Sequence, residues 1–146
     1  MPASISFVMK TSILLSLLVS VYFTVNSEMD AARKTKYQIE LNDIAKYVEG
    51  KLLRGLKEVN SFNSNSSQVL MLPHTDFFYN VSLTCNEFLE IRVTSQLDRK
   101  SIIKEFLNCS MIEANGSVVE GEKCLKVEKL NETYLRISLV NKCETQ

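Results

Sequence analysis

Tryptophan is absent, and 146 residues carry one histidine, two prolines and four glycines. His74 is the only imidazole, and no motif sets a serine or thiol beside it, so enzymatic acid–base or nucleophilic chemistry is not expected. Gly50, Gly55, Gly116 and Gly121 form no glycine-rich phosphate loop. Basic and acidic residues balance at 17 each, so no field draws the chain to nucleic acid. The four cysteines include no close pair of the C-x2-C kind, which argues against zinc. Glu120, Glu122, Glu128 and Glu132 are spaced like a wetted strand face and unlike a calcium loop. No metal or cofactor is therefore expected. What is present is an apolar share of 45%, too high for a disordered chain, in a length that suits one domain.

The first 27 residues carry no acid. Lys10 precedes an apolar run, Ile13 to Val25, and Val25-Asn26-Ser27 offers a cleavage site. That is the form of a secretory signal peptide, with Met9 as an alternative start. Thirteen helical residues span about 20 Å, against a hydrocarbon core of about 30 Å, which favours a signal over an anchor. The expected organisation is a signal peptide over 1–27 and one secreted domain over 28–146, without membrane insertion.

All four cysteines, Cys85, Cys109, Cys124 and Cys143, fall in that domain, and an even count there implies two disulfides. Asn-x-Ser/Thr sequons occur at Asn65, Asn80, Asn108, Asn115 and Asn131. Asn65, Asn80, Asn115 and Asn131 are candidate glycosylation sites. Asn108 is the poorest, because Cys109 is its middle residue.

Two periodicities divide the mature chain. Over Asp30 to Asn60, Tyr37, Leu41, Ile44, Val48, Leu52, Leu56 and Val59 recur at helical steps, making one apolar stripe over about six turns. Gly50 and Gly55 cost about 1 kcal/mol each relative to alanine and predict fraying or a bend. A polar loop, Asn60 to Ser67, follows. Beyond it, Val81-x-Leu83-x-Cys85, Leu89-x-Ile91-x-Val93, Leu125-x-Val127 and Leu135-x-Ile137-x-Leu139 alternate like half-buried antiparallel strands. Ile102, Ile103, Phe106 and Leu107 fit a short helix started by Asp98. Asn115-Gly116 marks a turn.

The expected fold is α+β, one long N-terminal helix packed on a twisted antiparallel sheet. The competing fold is an all-α short-chain four-helix bundle, since Phe77, Val81, Cys85, Phe88 and Leu89 also match helical spacing. The fold bears on the cysteines. A bridge from Cys124 to Cys143 across a terminal hairpin puts the tip near residues 132–135, next to Asn131-Glu132-Thr133. It asks for a bulge at Leu139-Val140 and leaves Cys85 to pair with Cys109. A bundle would instead favour Cys85–Cys124 and Cys109–Cys143.

The stretches Leu41 to Val48, Phe88 to Val93 and Lys123 to Val127, and the two spacings between the last three cysteines, resemble the cystatin superfamily over about Gln38 to Gln146. The resemblance implies a secreted monomer that binds a protein partner, the family target being a papain-like cysteine protease. Family inhibitors present a wedge made of an N-terminal glycine, a Gln-x-Val-x-Gly hairpin and a Pro-Trp loop. The corresponding positions here are Val81, Leu83 and Thr84 in the first hairpin and Leu130, Asn131 and Glu132 in the second loop. The arm Glu28 to Lys36 has no glycine, the second loop has no proline or tryptophan, and Cys85 lies in the first loop rather than after the next strand. The wedge is degenerate, so the expectation is a secreted cystatin-like binding protein with weakened or lost protease inhibition. Under the bundle alternative the chain would be a cytokine acting on a cell-surface receptor.

Overall fold

A computed structural model describes residues 2–62, 65–97, 99, 101–131 and 133–143. Asp98 and Glu132 lie outside the described residues. The elements run α1 (Pro2–Phe62), β1 (Ser66–Leu72), β2 (Tyr79–Cys85), β3 (Phe88–Ser95), β4 (Ser101–Asn108), a 3-10 turn (Cys109–Met111), β5 (Ile112–Asn115), β6 (Ser117–Val119), β7 (Gly121–Lys129) and β8 (Leu135–Val140). The chain divides into two compact units, Met1–Gln38 and Ile39–Gln146.

The first unit is helix alone. Its apolar side chains, among them Ile13, Leu14, Leu17, Leu18, Tyr22 and Phe23, are exposed on every side. The second unit holds the core. There Leu41, Ile44, Ala45, Val48, Leu52, Leu56 and Val59 of α1 are buried, as the helical stripe predicts. Burial of each large aliphatic side chain stabilises by about 1.5–3 kcal/mol. The helix runs through both glycines to Phe62 rather than fraying. At Gly55 the reason is packing: a Cβ there would lie 3.1 Å from Val127 Cγ2, so the missing side chain lets α1 close onto β7. Glu58 adds polar ties to β1, accepting from Ser66 Oγ (2.7 Å) and Gln68 Nε2 (2.6 Å).

The fold is α+β, with two four-stranded sheets, β1-β7-β8-β5 and β4-β3-β2-β6. The alternative four-helix bundle is not supported. All pairings are antiparallel except β5 with β8. The chain passes from one sheet to the other at Gly116, whose φ of +119° suits glycine. A Cβ at Gly116 would lie 2.6 Å from the Leu139 carbonyl oxygen. The turn read at Asn115-Gly116 is thus a change of sheet between β5 and β6.

Residues 101–108 correct the expected short helix. They form β4, paired with β3 from Thr94↔Ser101 to Phe88↔Asn108. The β-branched pair Ile102-Ile103 suits a strand, and pairing to β3 outweighs a helical spacing carried by only four residues. Helical geometry appears only in the turn after it, where Asn108 Oδ1 accepts from Ser110 N at 2.9 Å.

The disulfides are Cys85–Cys109 and Cys124–Cys143. The expected bulge at Leu139-Val140 is absent: the β7–β8 ladder is regular from Lys129↔Leu135 to Cys124↔Val140. Cys143 reaches Cys124 because it lies beyond the end of β8, free of strand alternation. The hairpin loop is accordingly Leu130 to Tyr134.

Candidate functional site

Strand directions bring two loops to one end of the second unit. β2 runs antiparallel to β6, and β5, which precedes β6, runs parallel to β8. Cys85 at the end of β2 is bridged to Cys109, which leads into β5, and Ile112 of β5 pairs with Leu135 at the start of β8, so these two strand ends lie at the same end of the unit although they belong to different sheets. The β2–β3 turn (Asn86, Glu87) and the Leu130 to Tyr134 loop both project there. The Cys85–Cys109 bridge fastens the first turn, and Cys109 N donates to Glu87 O at 3.0 Å.

The second loop is held by one side chain. Asn131 Oδ1 accepts from Thr133 N (3.0 Å), Tyr134 N (2.7 Å) and Thr133 Oγ1 (3.1 Å). Leu130 N donates to Tyr134 O at 2.9 Å. This is the local chemistry of an Asx turn. Leu130 and Tyr134 are both 48% exposed, so the loop offers apolar surface to a partner.

Of the candidate contact residues, Thr84, Leu130 and Asn131 are on the surface. Val81 and Leu83 are not: they are 0% and 1% exposed. Period-2 alternation turns Tyr79, Val81 and Leu83 into the core and leaves Ser82 and Thr84 on the outer face. Val81 and Leu83 are thus corrected from contact residues to core residues. The apolar alternation that marked β2 as a strand is the same signal that removes them from a partner.

The sequons cluster unevenly. Asn65, Asn108 and Asn131 border the loop end, and all three are exposed. Asn65 Oδ1 accepts from Lys129 N at 3.0 Å, and Asn108 and Asn131 likewise use Oδ1 to hold local backbone. An N-linked glycan attaches to Nδ2, so these bonds are compatible with modification. Asn80 Oδ1 accepts from Ser117 Oγ at 2.7 Å on the outer face of its sheet, and Asn115 is exposed at the end of β5.

Sequence reasoning missed a cleft at the opposite end. Glu40, Asp43 and Tyr47 of α1 face Met71, His74 and Asp76 of β1 and the loop after it, around a cavity of about 480 Å³. Tyr47 Oη accepts from Met71 N at 3.1 Å, and the Lys51 ammonium stands 5.8 Å from the Tyr47 ring centroid. His74 Nδ1 lies 2.8 Å from Glu120 Oε2. The His74 side chain is 84% exposed, and such surface pairs contribute little stability. Tyr79 donates from Oη to Pro73 O at 2.6 Å, and burial, aided by the charge of Glu120, pushes its phenol up to about 12. The only sequence hint of this cleft was Glu40 and Asp43 one helical turn apart. Asp76 joins them only in the tertiary structure. Among the described residues, no group of three or more His, Cys, Asp or Glu side chains is arranged to hold a metal ion.

Comparison with protein-family models, with curated proteins and with solved structures found no match to this chain.

Proposed function

We propose that this chain is an exported, disulfide-stabilised, cystatin-like binding protein that engages a protein partner through its loop end and does not inhibit cysteine proteases tightly. The observation that carries this reading is that the β2–β3 turn and the 130–134 loop, one from each sheet, project at the same end of the unit, the first fastened by Cys85–Cys109. Loops held by a rigid scaffold are the common way to present a contact surface. Two disulfides and an N-terminal apolar helix fit an oxidising, extracytoplasmic setting.

The weak inhibition follows from the residues at that end. With Val81 and Leu83 in the core, the first hairpin offers Thr84, Asn86 and Glu87 to a protease cleft. The second loop carries Leu130 and Asn131, and a glycan on Asn131 would stand in the way of a narrow cleft. Titration of a papain-like protease with the oxidised domain, before and after enzymatic deglycosylation, tests this. We expect an inhibition constant weaker than about 1 µM, a binding free energy smaller than about 8 kcal/mol, in both forms. Nanomolar inhibition by the deglycosylated form would overturn the reading and restore the loop end as an active wedge.

A further inference from the structure

We infer that the N-terminal helix is a membrane-spanning anchor that stays on the mature protein, its partner being a lipid bilayer. The inference rests on the export reading above and changes its outcome, from a released protein to a tethered one.

Three observations carry it. First, the span is longer than the apolar run alone indicates. Ile13 to Val25 would fall short of a bilayer, but the uncharged stretch is Thr11 to Ser27, 17 residues. Those residues reach about 26 Å as a helix, close to the thickness of about 27 Å of an endoplasmic-reticulum hydrocarbon core. The hydroxyls near its two ends do not break the apolar character. Thr11 Oγ1 donates to Phe7 O and Val8 O (both 3.0 Å), and Thr24 Oγ1 donates to Ser20 O at 3.0 Å. A hydroxyl satisfied by its own helix can sit in lipid without an unpaired polar group. Lys10 stands at one boundary, with Ile5, Phe7, Val8 and Met9 before it, where its long stem can carry the charge to the headgroups.

Second, the apolar surface of the segment is wide and unburied. Leu14, Leu15, Leu17, Leu18, Val21, Tyr22 and Phe23 cover about two thirds of the helix circumference and are each exposed by 59% or more, while Ser16, Ser20 and Thr24 follow one another on the remaining side. An apolar surface that wide needs either a surrounding protein core or lipid, and none of these side chains is buried in the protein.

Third, the cleavage site is inside a helix. Val25-Asn26-Ser27 lies within α1, and no proline or glycine occurs between Pro2 and Gly50 to unwind it. A processing protease needs its substrate in extended form. Here the residues around the scissile bond are held in helical hydrogen bonds, with no proline or glycine nearby to break them.

Flanking charge and the disulfides point to opposite orientations. Arg33, Lys34 and Lys36 outnumber Lys10, which alone would hold the C-terminal side in the cytoplasm. The two disulfides require the opposite orientation, and glycosylation reports which holds.

The test expresses the full chain with a C-terminal tag in animal cells and follows it by alkaline membrane extraction, glycosidase shift and mass spectrometry of the N-terminal peptides. We expect a glycosylated, oxidised protein that stays in the membrane pellet and retains the Ile13–Val25 peptide. A glycosylated protein in the medium that begins near Glu28 would overturn the anchor and leave the export reading intact. A reduced, unglycosylated protein in the cytosol would overturn the export reading and the anchor with it. Tyr22→Pro supplies the second arm: breaking the helix ahead of Ser27 is expected to shift protein from the pellet to the medium. If the wild-type chain is already released to the same extent as this variant, the helix does not protect the site and the inference fails.

Discussion

Residues 13–25 and 41–59 of α1 are both rich in Leu, Ile and Val, yet they meet opposite fates. In the first, every apolar side chain is exposed. In the second, Leu41, Ile44, Val48, Leu52, Leu56 and Val59 are all buried, and the faces between them carry Lys46, Glu49, Lys51 and Arg54. The contrast shows that apolar content alone does not locate a core. A core needs apolar residues confined to one stripe, so that the remaining surface can stay wet while the stripe packs. A segment without such a confined stripe has no face that can pack while the rest stays wet.

That contrast can be broken by mutation, and the largest effect should fall in the stripe. Leu52→Ala removes a fully buried side chain and is expected to cost about 2–5 kcal/mol in denaturant unfolding of the oxidised protein. A loss below 1 kcal/mol, on the order of a surface change, would show that the stripe is not the core. Gly116→Ala comes next. It adds a Cβ 2.6 Å from the Leu139 carbonyl oxygen at a φ of +119°, and about 2–4 kcal/mol of destabilisation is expected. An unchanged melting temperature would mean that the crossing between the sheets does not need glycine there.

A smaller effect is expected at Tyr79, where stability should depend on alkaline pH. Its phenol is pushed up to about 12 in the folded protein, against an ordinary value near 10 when unfolded. The folded state therefore holds the proton more tightly. The stability this contributes is complete below about pH 10 and is lost as pH rises through about 12. Tyr79→Phe should flatten that part of the pH profile, and an identical alkaline decline in the variant would exclude Tyr79 as its source. The smallest effect belongs to the first unit. Leu17→Ala should change unfolding of the 39–146 unit by less than about 0.5 kcal/mol, since Leu17 contacts no core. A larger shift would dissolve the distinction between the two stretches of helix.

The stripe, the alternating strands and the terminal hairpin were legible because each depends on near neighbours in sequence. Leu125, Val127, Ile137 and Leu139 could be assigned to the core from alternation alone, and they are buried. The bridge from Cys124 to Cys143 was one of the pairings left open, the one that suits the hairpin, and it forms without the assumed bulge. Residues 101–108 were misread because Ile102, Ile103, Phe106 and Leu107 follow helical spacing and do not alternate, so only pairing with β3 shows the segment to be a strand. The candidate site was read less well than the fold. Thr84, Leu130 and Asn131 reached the surface, whereas Val81 and Leu83 were chosen for their resemblance to a hairpin tip and lie within a strand.

The order of helix and strands, the inward faces and the positions where an extracytoplasmic chain can be bridged or glycosylated are local properties, set by periodicity and by residue chemistry. Pairing between distant segments is not local. That β1 joins β7, that β5 runs parallel to β8, and that Gly116 carries the chain between sheets depend on which strand edges meet once the helix stripe is covered. Those meetings bring the two loops to one end and Glu40, Asp43 and Asp76 to the other. Backbone hydrogen bonding is nearly indifferent to sequence, so strand partners are chosen by the packing of the whole unit and not by any one segment.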